Sequence, residues 1–249
     1  MRIAIISDIH ANRFAFEAVL TDLRETAPDL TLHGGDLAHG GSSPAEIIDR
    51  LRDFCWSGVL GNTDEMLFRP AALTEFASQS PKLQPPKLQL MFAMIGEMAA
   101  WDREALGKDR LDWLSTLPLQ QSRQGFALVH SSPASCWCAP SPDASDAELK
   151  SVYSQLGEHL VVYGHIHRPF IRNISQDGTP GLIVANSGSV SLSHDGDPRA
   201  SYLLIDDGKP RIRRVEYDVE KEIEAIRASG MPYPDWIART LRAASPQMP

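Results

Sequence analysis

Ile3 to Ile6 is an unbroken apolar run rich in β-branched residues, the pattern of a central strand buried on both faces. It stops at the polar tip Ser7-Asp8-Ile9-His10, after which Asn12 opens an amphipathic helix with Phe14, Ala18, Val19 and Leu23 at helical spacing and Pro28 beyond its end. The same succession then repeats. Asp29 to His33 reads as a strand ending in Gly34-Gly35-Asp36, and Pro44 to Asp53 reads as a helix with Pro in its first turn. Trp56 to Leu60 reads as a third strand closing on Gly61-Asn62-Thr63-Asp64. Strand, polar tip and helix in threefold succession predict an α/β fold with parallel strands covered by helices.

Residues 65–118 break that rhythm. Pro81, Pro85 and Pro86 interrupt a helical region that includes Lys87 to Ala100, whose Leu90, Met91, Met94, Ile95 and Met98 form one face. Such a Met-rich face serves either ordinary core packing or a helical cap over a site. Phe126 to Val129 is a strand ending at His130, a Ser/Pro-rich loop runs from Ser131 to Asp143, and Asp146 to Leu156 is helical. Leu160 to Tyr163 is a strand ending in Gly164-His165-Ile166-His167. Beyond Pro169 come short strands at Phe170–Ile174, Gly181–Ala185, Tyr202–Ile205 and Ile212–Val215, separated by turn signals such as Gln176-Asp177-Gly178 and Asp207-Gly208. They predict a second, more antiparallel sheet. One or two helices are expected after Glu220, with a frayed end at Ser245–Pro249. No linker divides the chain, so residues 1–249 read as one domain carrying 65–118 as an insertion.

Composition narrows the function classes. A chain of 249 residues with 43% hydrophobic and 22% charged residues can bury a sizeable core. Its net charge of −8 argues against stable nucleic-acid binding, although a nucleotide held through metal ions remains compatible with it. No apolar stretch has membrane-spanning length, which speaks against a membrane partner. Three cysteines do not make a disulfide framework, and the N-terminus enters a strand without an export signal, so a reducing cytoplasm is expected.

The polar residues gather at strand tips: Asp8 and His10, Asp36, Asn62, His130, and His165 with His167. In open α/β sheets ligands collect where strand ends meet helices. Carboxylates and imidazoles crowded there would be costly without a counter-charge, and metal ions offset that cost. Mixed nitrogen and oxygen donors suit Mn, Fe, Co, Ni or Zn better than Mg or Ca.

In this order, Asp8-Ile9-His10, Gly35-Asp36, Gly61-Asn62, His130 and Gly164-His165-Ile166-His167 resemble the motifs of calcineurin-like metallophosphoesterases. The likeness runs from Ile3 to about Asp206 and is greatest to the small bacterial and archaeal phosphodiesterases, whose later signature resembles Asn186-Ser-Gly-Ser-Val190 and Asp195–Ser201. It implies an α/β sandwich of two mixed β-sheets flanked by helices, with a helical cap insertion. It also implies two divalent transition-metal ions, manganese the first choice. Asp8, His10, Asp36 and His167 would hold the first ion, and Asp36, Asn62, His130 and His165 the second. Asp36, Asn62 and His165 take the catalytic positions. A metal-bridging hydroxide would attack phosphorus in line with the leaving oxygen of a small phosphate ester or nucleotide.

One departure bears on substrate. Where the resembling family usually carries a general-acid His after its Gly-Asn, this chain has Thr63, a poor proton donor to an alkoxide. That favours phosphodiesters and anhydride-type nucleotides over monoesters. His39 and His194 are the loop residues able to touch substrate in its place, and Arg13 could reach a phosphate near a helix N-terminus. Asp64 is expected to steady the motif loop, and Trp137, in Cys136-Trp-Cys138, either stacks on a base or packs against the cap. A phosphomonoesterase or protein phosphatase, or a non-catalytic metal-binding scaffold of the same fold, are the alternatives.

Overall fold

The computed structural model describes residues 1–79, 85–123, 125–176 and 179–249; Pro81 and the turn at Asp177-Gly178 lie outside them. The strands are β1 (Arg2–Ile6), β2 (Leu30–His33), β3 (Gln120–Arg123), β4 (Phe126–Val129), β5 (Leu160–Tyr163), β6 (Phe170–Gln176), β7 (Thr179–Asn186), β8 (Ala200–Asp206) and β9 (Lys209–Val215). The helices are α1 (Arg13–Thr26), α2 (Pro44–Asp53), α3 (Asn62–Phe68), α4 (Ala71–Gln79), α5 (Pro86–Ser115), α6 (Asp146–Tyr153), α7 (Val219–Ser229) and α8 (Pro234–Ala243).

Two mixed sheets form the core. The first has the order β2-β1-β8-β9 and the second β3-β4-β5-β7-β6. Alternation along each strand divides the apolar residues between two layers. Ile3 and Ile5 of β1 meet Leu128 of β4 and Val162 of β5 between the sheets. Ala4 and Ile6 face outward and pack with Phe16, Val19, Ile47 and Leu51 of α1 and α2. On the outer face of the second sheet, Val129, Val161 and Tyr163 pack with Leu149 of α6. The result is an α/β sandwich of two mixed sheets flanked by helices, as the resemblance implied.

The expected second antiparallel sheet does not exist as a separate layer. The β6–β7 hairpin joins β5 in parallel, while the β8–β9 hairpin returns to the first sheet, with β8 antiparallel to β1. Short-range turn signals fix a hairpin, not the sheet that recruits it. Trp56–Leu60 likewise forms only one bridge, Gly58 beside His33, and Leu60 N–H is drawn away to the Pro118 carbonyl at 2.8 Å. The polar strand β3 carried no periodic apolar signal because it is a mostly exposed edge.

Among the described residues of 65–118, helices α3, α4 and α5 form the insertion as expected. Lys87–Ala100 lies inside the longer α5, which breaks at Gly107 with φ +66°. Met66, Leu67, Ala99, Leu106 and Leu114 share one buried cluster with Ile6 of β1, so this region is packed onto the first sheet's helical layer. The C-terminal stretch is tied back rather than free, with Trp236 Nε1 donating to the Gln247 carbonyl at 2.7 Å.

Candidate metal centre

The polar strand tips converge. Asp8 follows β1, Asp36 follows β2, Asn62 begins α3, His130 follows β4, and His165 and His167 follow β5. Five of the seven, Asp8, His10, Asp36, His165 and His167, have left-handed backbones with φ between +48° and +65°. That conformation costs a non-glycine residue about 1–3 kcal/mol and persists only where the surroundings over-determine it. Here the surroundings are hydrogen bonds between the tips: Asp8 N–H donates to Gly35 O at 2.9 Å and His10 N–H to Asp36 O at 3.0 Å.

The imidazoles are aimed by their outer nitrogens. Nδ1 of His10 donates to His39 O at 2.8 Å, Nδ1 of His130 to Gly34 O at 2.8 Å, and Nδ1 of His167 to Leu192 O. A carbonyl only accepts, so Nδ1 carries the proton and each Nε2 turns inward. His10 Nε2 and His167 Nε2 face each other at 3.2 Å, with Asp8 Oδ1 3.0 Å from His167 Nε2 and Asp36 Oδ2 3.8 Å from His10 Nε2. Donor atoms of Asp8, His10, Asp36 and His167, all buried, lie within 4.8 Å of one another. Neutral imidazoles cannot aim lone pairs at each other and at two carboxylates, so a cation, a proton or a metal ion, must sit among them.

A second cluster shares Asp36. Its Oδ1 lies 3.3 Å from His130 Nε2, and Asn62 Oδ1 is 3.1 Å from that nitrogen and 2.9 Å from His165 Nδ1. The donor set and spacing of the first cluster fit a divalent ion, and the second cluster places further nitrogen and oxygen donors on the other side of the same carboxylate.

Neighbouring elements hold this frame rigid. The buried Asp64 carboxylate accepts from Asp36 N–H and Leu37 N–H at 2.8 Å each and from Gly61 N–H at 3.1 Å, joining two tips. A side chain at Gly61 would strike the backbone and carboxylate of Asp36, and one at Gly164 would strike Ser7 and Asp8. The Asn186–Val190 run acts as a clasp: Asn186 Nδ2 donates to Gly164 O at 2.6 Å, Ser189 Oγ to Asp8 O at 2.9 Å, and Val190 N–H to Ser7 O at 3.1 Å.

Electrostatics follow from this crowding. Burial alone would push the Asp8 carboxyl up, but His167, His130 and His10 together hold it below the usual carboxylate range. Burial, then the neighbouring His167, lowers His10 to about 4; burial, then His130, lowers His165 to about 4. His130 and His167 are buried too, yet the carboxylates overcome that and raise both. Burial and the nearby Asp36 push Asp64 up to about 7.

The remaining candidates are placed differently. Thr63 N–H donates to Asp36 Oδ1 at 2.9 Å, while its Oγ1 is buried without a hydrogen-bond partner. His194 stacks on His167 with ring centroids 4.5 Å apart, which puts it beside the first cluster. His39 lends its carbonyl to His10 and points Nδ1 at Asp102 Oδ2, 2.6 Å away. Arg13 turns to Glu46, 3.6 Å away, and lies over the Phe14 ring. Trp137 packs on Phe76 of α4 at 5.0 Å and donates to Glu65, so packing against the insertion is the role it has here. Asp102 escaped the sequence reading because it lies in an apolar stripe of α5; the Asp36-x-x-His39 loop was the only signal pointing toward it.

A sandwich of this topology with Asp, His and Asn at its strand tips defines a metallophosphoesterase-type protein. The chain belongs to the calcineurin-like phosphoesterase superfamily, whose domain matches residues 1–208. It is 30% identical to an uncharacterized protein of Methanocaldococcus jannaschii, over 96% of both chains. It is 27% identical to a Synechococcus protein named as a probable cyclic nucleotide phosphodiesterase, over 62% of this chain and 64% of that one. Among solved structures, a metallophosphoesterase from Sphaerobacter thermophilus superimposes with a TM-score of 0.78 at 26% identity, covering 98% of this chain and 100% of that one. A hypothetical protein from Pyrococcus horikoshii shares the fold with a TM-score of 0.79 at 17% identity and 99% coverage of each. Among the described residues no helix is long and apolar enough to cross a membrane.

Proposed function

We propose that this chain is a dinuclear metal-dependent phosphoesterase acting on small phosphodiesters or nucleotides. One observation carries the reading: two clusters of inward-facing acceptor atoms meet at the Asp36 carboxylate, and among the described residues no Lys or Arg pairs with them. Asp8, His10, Asp36 and His167 would hold one divalent ion, manganese the first choice, and Asp36, Asn62, His130 and His165 the other. When bound, such ions supply an activated nucleophile from water and positive charge at phosphorus.

The chain's own groups supply the rest. The carbonyl-anchored imidazoles of His10, His130 and His167 keep their Nε2 atoms fixed, so no reorganisation is needed as charge develops. Asn62 Oδ1 lies 3.1 Å from His130 Nε2 and 2.9 Å from His165 Nδ1, so as a fellow ligand its oxygen would face the ion and its amide N–H groups would be left for a phosphoryl oxygen. His165, half-buried, and His194, stacked on His167, border the phosphate-binding space. Thr63 presents no proton donor suited to a poor leaving group, which favours diesters and anhydrides over alkyl monoesters. The Synechococcus relative's name agrees with cyclic nucleotides as one such class.

The test is hydrolysis of a nitrophenyl diester and the matching monoester by metal-stripped protein before and after refilling with Mn. Diester turnover that appears only on refilling and exceeds monoester turnover is the expected result. Monoester preference would overturn the diester reading, and silence on both esters with metal bound would leave a scaffold.

A further inference from the structure

Asp102 occupies an unusual place. Met98, Asp102 and Leu106 lie at i, i+4 and i+8 on the buried face of α5, so a carboxylate stands in the middle of an apolar stripe, wholly inaccessible to water. A buried carboxylate is kept only where something answers it. The group answering it is His39, whose Nδ1 lies 2.6 Å from Asp102 Oδ2 and whose ring is itself buried. The same residue's carbonyl receives the Nδ1 proton of His10 at 2.8 Å. Two hydrogen bonds thus join an insertion helix to an imidazole whose Nε2 faces the first cluster.

We infer that Asp102 is a positioning residue for the first metal site, acting through His39 on His10. The inference rests on the reading of Asp8, His10, Asp36 and His167 as ligands. Fixing the His39 ring fixes its peptide, and the His39 peptide sets the tautomer and the aim of His10. Outer partners of ligand histidines are worth about 10–100-fold in metal affinity. The loop between Asp36 and α2 is also held at both ends: Leu37 N–H donates to Asp64 at 2.8 Å, Ala11 N–H reaches Leu37 O at 2.9 Å, Ser43 N–H reaches Ala11 O at 3.0 Å, and Glu222 accepts from Ser42 N–H at 2.9 Å. None of these bonds is made to His39 itself. Docking of α5 therefore reaches the ion through geometry and needs no contact with substrate.

The test titrates metal-stripped full-length protein with Mn alone and reads stoichiometry and both affinities. Wild type should take two equivalents. Asp102→Ala should weaken one of them by about 10–100-fold and leave the other within about threefold. Asp102→Asn, whose amide oxygen still accepts the His39 proton, should restore most of the lost affinity. In a His10→Ala background the Asp102→Ala change should add nothing, because the two act along one line. If Asp102→Ala does not fold, His39→Phe keeps the carbonyl and removes the Nδ1 proton, and the same single-site loss is expected. Two ions bound with unchanged affinity in these variants, even with a lower apo melting temperature, would make Asp102 merely structural and overturn the inference alone. A wild type that binds no Mn would overturn the metal reading and this inference together.

Discussion

The two halves of the candidate centre differ in how they are enclosed. Asp8, His10, Asp36 and His167 are all buried, and both imidazoles are anchored to backbone carbonyls. In the other half, apart from the shared Asp36, His130 is buried while Asn62 and His165 are half-buried, and Thr63 lies beside them. Only His130 there has a carbonyl anchor among the described residues. On the proposed reading the enclosed half would hold its ion and the more open half would admit substrate.

The largest expected effect falls on the residue both halves share. Asp36→Asn should lower diester turnover by about 10³-fold, since several kcal/mol of charge stabilisation depend on it. Metal analysis should find fewer than two ions; two ions and full turnover would end the shared-carboxylate view. A change confined to the open half comes next. Thr63→His should raise alkyl monoester turnover by about 10²-fold, with little effect on activated diesters. Equal effects on both esters would mean that the open half does not face the leaving group.

The third prediction concerns order. The anchored half should bind its ion about tenfold or more tightly than the open half and release it last to a chelator, because anchored ligand histidines hold metal better. His10→Ala should abolish the tight phase and His165→Ala the weak one; reversed assignments would invert the comparison. The smallest effect is on stability behind the enclosed half. Burial pushes the Glu222 carboxyl up to about 7 from 4.5. The folded chain then keeps a proton that the unfolded chain has released, so this group's contribution to stability is fully present below about 4.5 and is lost as pH rises from there to about 7. Glu222→Gln should flatten that slope and gain at most about 3 kcal/mol at pH 8, read from unfolding midpoints across pH.

Much of this centre was legible along the chain because strand tips announce themselves. A β-branched run that ends in Asp-x-His or Gly-Asp changes from apolar to ligand chemistry within two residues, and Ile3–His10 and His33–Asp36 do so plainly. Phe126–Val129 and Leu160–Tyr163 matched their strands residue for residue. Groups that act from a distance left no such trace. Asp102 and Glu222 lie at buried positions of α5 and α7 and meet their partners only after those helices dock. The sheet membership of β8 was hidden for the same reason, since nothing local to residues 200–206 points to residues 2–5.

That last pairing has a consequence for the newly made chain. Emerging from a ribosome, β1 can pair early with β2, but its other edge stays open until β8 arrives some two hundred residues later. The clasp at Ser189 and Val190, which holds the backbone of Ser7 and Asp8, is also made late. Contacts so distant in sequence close slowly and leave a bare strand edge exposed meanwhile. The candidate metal pocket is therefore among the last features to form, and a nascent chain stalled before Ala200 would carry all seven candidate ligands with β1, the strand before Asp8 and His10, still half unpaired.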